Sequence, residues 1–83
     1  MNRDDALVLV EHVLADVVPG ADVAALSPDD NFRVELEMDS LDFLNFVEAL
    51  SERSGLPLPE TDYSSLNTLA GCANYIASRT SAR

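Results

Sequence analysis

Phe43, Phe46, Val47 and Leu50 fall at i, i+3, i+4 and i+7. That spacing lines up along one face of a helix and along neither face of a strand. The run is bracketed by helix signals. Asp39-Ser40 opens it, with Asp39 as the expected N-cap and Asp42, three residues on, completing a weak capping box. Ser54-Gly55 closes it. Leu44 is expected beside the apolar face, and Leu41, Asn45, Glu48 and Glu52 form an exposed stripe opposite. Such a helix must bury its apolar face against other elements.

Two more faces of the same kind supply those elements. Ala6, Leu9, Val10, Val13 and Val17 repeat at helical spacing, widened by Leu7, Val8, Leu14 and Val18, and Pro19-Gly20 stops them. Asn2 with Asp4 and Asp5 makes a plausible start. Leu69, Cys72, Ala73 and Ile76 repeat in the same way within a helix expected from Ser65 or Asn67 to Ser78. Between the first two helices, residues 19–38 form a long connection with a turn at Ser27-Pro28-Asp29-Asp30. Val23, Leu26, Phe32, Leu36 and Met38 would pin it to the core. Leu56-Pro57-Leu58-Pro59 reads as an extended connector, followed by a short helical turn over 60–65.

No segment reads as a strand, so the expected fold is all-α. It is a small four-helix bundle, three main helices plus one short helix, with a long loop between the first two. With 83 residues, one domain over 1–83 is expected, with 80–83 a frayed tail.

Charge narrows the partners. Asp and Glu number 15 against 5 basic residues, all arginine, for a net charge of −10. That field repels nucleic-acid phosphates and anionic membranes, keeps the chain soluble, and attracts basic protein surfaces. Cys72 is the only cysteine, which rules out an internal disulfide and a CxxC metal or redox pair. Its place on an apolar stripe marks it as a small core residue. Asp4 and Asp5 stand where a secretory leader has bases, and the run Ala6–Val10 is too short for a leader core or a membrane span. A monomer in the cytoplasm is the expectation.

Ser40 raises the chemical question. A hydroxyl on the first turn of a helix faces solvent beside free backbone N–H groups and the positive end of the macrodipole. A phosphate esterified there would meet those donors, although Asp39 and Asp42 would repel it unless a metal or solvent intervened. The stretch Asp39-Ser40-Leu41-Asp42 resembles the Asp-Ser-Leu signature of acyl carrier proteins. The resemblance covers most of the chain. Asp29-Asp30-Asn31-Phe32 is similar to that family's loop ahead of the motif, Leu56-Pro57-Leu58-Pro59-Glu60 to the extended piece after its second helix, and Leu69–Ile76 to its last helix.

The resemblance implies that Ser40 is modified by a phosphopantetheinyl transferase using coenzyme A. It would then bear a 4′-phosphopantetheine arm whose thiol carries acyl groups as thioesters. Asp39 would help present the serine, and Leu41, Asp42, Glu48 and Glu52 would lie on the surface read by basic patches of acyl-transferring or acyl-modifying enzymes. The chain would be a carrier and not an enzyme. Three positions depart from the family pattern: Met38 where many relatives have glycine, Asn45 where an acid is common, and Glu48 where an apolar contact is common. They leave the attachment chemistry untouched and point to a specialised pathway rather than the housekeeping fatty-acid one.

Other readings fare worse. A hydrolase built on Ser40, His12 and an aspartate lacks the Gly-x-Ser-x-Gly elbow. A calcium loop starting at Asp29 places Arg33 at a ligand position, Val34 at the required glycine and Ser40 at the final glutamate. His12 reads as a solvated surface residue, and Phe32, Phe43, Phe46 and Tyr63 as core before acyl pocket. The competitors that share fold and charge are an unmodified acidic adaptor for basic partners, and an aminoacyl or peptidyl carrier.

Overall fold

The computed structural model describes residues 1–80, and every regular element among them is helical. Helix α1 spans Arg3–Val17. Its first turn is closed by the Asn2 side chain, whose oxygen accepts the Asp5 N–H at 2.8 Å. Ala6, Val10, Val13 and Leu14 are its fully buried residues. The face is thus turned slightly from the expected one: Leu14 is central to it, and Val8 is half exposed. The chain leaves the helix through Gly20 in the left-handed region at φ 85°.

The connection is ordered by its own short turns. Residues Val23–Ala25 make one turn of 3-10 helix. The Ser27–Asp30 turn forms as its composition predicts: the Asp30 N–H donates to the Ser27 carbonyl and the Asp30 carboxylate accepts the Ser27 N–H. The connection also holds a single α-helical turn, α2, which covers Phe32–Glu35 and is capped by the Asn31 side chain. Its register drives Phe32 fully into the core, and Met38 follows at 7% exposure. Val23, Leu26 and Leu36 pack against that core while partly exposed. A loop of this length stays compact because these side chains give it a hydrophobic anchor every few residues.

Helix α3 spans Ser40–Ser54 and stops at Gly55, which sits in the left-handed region at φ 73° and returns its N–H to the Ser51 carbonyl. Phe43, Phe46, Val47 and Leu50 are buried, as their spacing predicts. Leu44, one residue and therefore about 100° round from Phe43, is 41% exposed rather than part of the core. The expected short turn appears as a 3-10 segment over Glu60–Ser65, with Leu58 and Leu66 buried on either side.

Helix α4 covers Leu69–Thr80 and buries Leu69, Cys72, Ala73 and Ile76. It begins later than expected because Thr68 caps it, its hydroxyl accepting the Gly71 N–H at 2.9 Å. It also ends later: the Thr80 hydroxyl donates to the Ile76 carbonyl at 2.8 Å, so Thr80 belongs to the helix. The rest of the expected frayed tail, 81–83, lies outside the described residues.

In the bundle α1 packs on both α3 and α4. Phe32 meets Phe46 edge to face, with centroids 5.2 Å apart, so the loop helix and α3 share one aromatic contact. Each such fully buried side chain contributes roughly 1.5–3 kcal/mol. Polar ties hold the ends: Arg53 pairs with Asp16 at 2.6 Å, and Arg3 donates to the Asn74 side chain at 2.7 Å.

Candidate functional site at the start of α3

The site is built by the turn that leads from α2 into α3. Glu37 adopts a left-handed backbone at φ 52°, unusual for a residue with a side chain. The Met38 N–H then closes back on the Arg33 carbonyl at 2.8 Å while its side chain enters the core. Met38 therefore works as an anchor at the position before Asp39, which fixes where α3 begins.

At that start the capping box is complete. The Asp39 carboxylate accepts the Asp42 N–H at 2.8 Å, and the Asp42 carboxylate accepts the Asp39 N–H at 3.4 Å. Asp39 is the cap, and Ser40 is the first helical residue. Ser40 is exposed, and its hydroxyl makes no hydrogen bond among the described residues. The helix start needs nothing from it. The first-turn N–H groups of Ser40 and Leu41 lack intrahelical acceptors, and the positive end of the dipole lies there.

Ser40 opens on a cleft of about 240 Å³ lined also by Arg33, Phe43, Leu44, Glu60 and Tyr63. The Arg33 guanidinium lies 4.4 Å from the centre of the Phe43 ring, and Phe43 meets Tyr63 edge to face at 5.6 Å. Sequence reasoning did not pick out Arg33 or Glu60. The available signal for Arg33 was its position as the only lysine or arginine between Arg3 and Arg53.

Beside the cleft, Leu41 is 66% and Val34 68% exposed, and Asn45, Glu48 and Glu52 continue along the exposed side of α3. Leu41, Glu48 and Glu52 thus share an accessible face. Asp42 is half-buried and engaged in the cap.

The remaining reactive side chains sit elsewhere. Cys72 is fully buried, its thiol donates to the Leu66 carbonyl at 3.2 Å, and burial pushes its pKa up from 9.0 to about 12. A thiol so protected is a core residue and no nucleophile. His12 is exposed on α1 and shares no hydrogen bond with Ser40. Phe32, Phe43 and Phe46 are core, while Tyr63 is half-buried at the cleft. Among the described residues no three side chains of the metal-ligating types come together, and no helix is long and apolar enough to cross a membrane.

The site is thus a solvent-facing hydroxyl at a capped helix start in a small helical bundle. The sequence comparisons say which class of domain this is. The family model for the phosphopantetheine attachment site matches residues 10–76, which include Ser40. The chain is 29% identical over 76 residues to the acyl carrier protein of Rubrobacter xylanophilus, covering 92% of this chain and 93% of that one. It is 27% identical over 82 residues to that of Acidothermus cellulolyticus, covering 96% and 94%. For that of Thermosynechococcus vestitus the figures are 28% over 82 residues, covering 99% and 100%.

The chain belongs to the acyl carrier protein family. Its role is therefore that of an acyl carrier, not an enzyme. Membership implies a covalently attached 4′-phosphopantetheine and interaction with a phosphopantetheinyl transferase and acyl-handling enzymes. The residues at the start of α3 fit such a group: an idle exposed hydroxyl, free first-turn amides, and an adjoining cleft with one cation and an aromatic wall.

Proposed function

We propose that Ser40 is the attachment site of the 4′-phosphopantetheine arm, and that residues 1–83 act as one monomeric carrier domain in the cytoplasm. The observation that supports this reading best is the division of labour at the helix start. Asp39 and Asp42 satisfy each other's amides, which leaves the Ser40 hydroxyl exposed and without a structural task.

In the modification, the Ser40 oxygen bonds to the pantetheine-bearing phosphorus of coenzyme A, the pyrophosphate P–O bond breaks, the hydroxyl proton leaves, and adenosine 3′,5′-bisphosphate departs, so that the whole 4′-phosphopantetheinyl group is transferred. Asp39 holds the turn that presents Ser40 to the transferase and its metal. When bound, the arm supplies a terminal thiol that holds an acyl group as a thioester. The chain's own residues do the rest by binding. Leu41 inserts as an apolar contact, and Asp42, Glu48 and Glu52 meet basic patches on partner enzymes. With a net charge of −10, encounter with such patches is steered and salt-sensitive. Tethering raises the effective concentration of the intermediate at each partner in turn.

The pathway is one of acyl metabolism of the fatty-acid or polyketide kind, or another specialised type. Asn45 and Glu48 on the exposed face of α3 support a specialised partner set, because one removes an acid and the other adds one. The test is intact-protein mass spectrometry after incubation with coenzyme A, magnesium and a broad-specificity phosphopantetheinyl transferase. Wild type is expected to gain one phosphopantetheine and Ser40→Ala none. No gain by a folded wild type with several transferases would defeat the reading.

A further inference from the structure

The net charge makes an unpaired arginine informative. With 15 acids for 5 basic residues, an arginine here has many carboxylates and few rival cations. Three of the described arginines take a protein acceptor: Arg3 bonds Asn74, Arg53 pairs with Asp16, and Arg79 with Asp62. Arg33 does not. Its neighbours in sequence include Glu35, Glu37 and Asp39, yet it forms no ion pair and its side chain no hydrogen bond among the described residues. Among the described residues its guanidinium makes an aromatic contact instead, lying 4.4 Å from the centre of the Phe43 ring.

That contact holds the guanidinium in place and leaves its edge donors idle. Arg33 and Ser40 line the same cleft. Asp39 and Asp42, which flank Ser40, each have an oxygen committed to the capping box. Glu60 also lines the cleft without pairing with Arg33.

We propose that Arg33 is an anion clamp for the phosphodiester attached at Ser40, a proposal that rests on the reading of Ser40 as the attachment site. The guanidinium donates charge-assisted hydrogen bonds to the phosphodiester oxygens. Together with the free first-turn amides of α3 it offsets the repulsion from Asp39, Asp42 and Glu60. Arg33 thereby directs the arm along the Phe43–Tyr63 wall of the cleft, instead of leaving it to sample solvent freely.

The test uses the whole protein, converted from apo to holo by a transferase, with loading confirmed by mass. Nitrogen-15 NMR follows the Arg33 Nε–H resonance, and phosphorus-31 NMR follows relaxation of the phosphodiester in wild type, Arg33→Gln and Arg33→Lys. The expected result is a shift of the Arg33 Nε–H on loading. Phosphorus relaxation should then fall to that of a freer arm in Arg33→Gln and lie between in Arg33→Lys, while the melting midpoints of the apo forms agree. A loaded arm with an unmoved Arg33 Nε–H and identical phosphorus relaxation in wild type and Arg33→Gln overturns the clamp alone. Failure of the folded wild type to load overturns the attachment at Ser40 and the clamp with it. If Arg33→Gln does not fold, the Nε–H shift in wild type decides the matter by itself.

Discussion

Two helix starts in this molecule use their polar groups in opposite ways. At the start of α4 nearly everything is spent on the fold. The Asn67 carbonyl accepts the Phe32 N–H, the Ala70 N–H donates to the Pro28 carbonyl, and the Thr68 hydroxyl caps Gly71. Gly71 packs so closely on the Ser65 carbonyl that a Cβ there would collide with it. At the start of α3 the cap is equally complete, but Leu41 is exposed, and among the described residues the Ser40 hydroxyl is idle and the Arg33 side chain lines the cleft without an acceptor. The first start stitches the loop to the last helix. The second keeps chemistry in reserve. The difference teaches that a complete cap can leave the groups beside it unused, and those are the groups on which the proposal for Ser40 draws.

The comparison breaks most visibly where packing is removed. Leu66, fully buried just before α4, should cost roughly 2–5 kcal/mol on replacement by alanine, read by urea denaturation, while the protein that remains folded still accepts the arm. Gly71→Ala should cost about 1–3 kcal/mol through overpacking against Ser65, in spite of alanine's better helix propensity; a stabilised variant would show that the close approach is not real.

Cys72 sharpens the same point through pH. Its folded pKa of about 12 lies above the ordinary 9.0, so the native state holds its proton while the unfolded chain releases it. Its contribution is fully present below pH 9.0 and is lost as pH rises towards about 12, at a slope of about 1.4 kcal/mol per pH unit. Denaturation across that window should lose this slope in Cys72→Ala.

At α3, Asp39→Ala should cost about 1 kcal/mol as a lost cap. Leu41→Ser should leave stability within about 0.5 kcal/mol yet weaken binding to a transferase, measured by titration calorimetry. A large stability loss in Leu41→Ser would place Leu41 with the fold and blur the contrast.

The α4 stripe and the inward side of α3 were legible in the sequence because helical periodicity is local and the apolar residues obey it. The cap on either side of Ser40 was legible in the spacing of Asp39 and Asp42, whereas Ser40 itself was singled out by the resemblance of Asp39-Ser40-Leu41-Asp42 to the carrier signature. What stayed hidden depends on partners distant in sequence. The single turn of α2 exists because Asn31 caps it and Phe32 finds Phe46 across the core. The start of α4 depends on carbonyls of the loop. Leu44 was misplaced because it borders the apolar face by position and only packing decides on which side of the border it falls. Arg33 was invisible because an unpaired arginine is defined by contacts it does not make.

Fragment-ion mass spectrometry of the arm-loaded protein tests the central claim most directly, because it asks which hydroxyl was left free for the attachment. The added mass should localise to Ser40. Localisation to Ser51, Ser54 or any other hydroxyl would contradict the account.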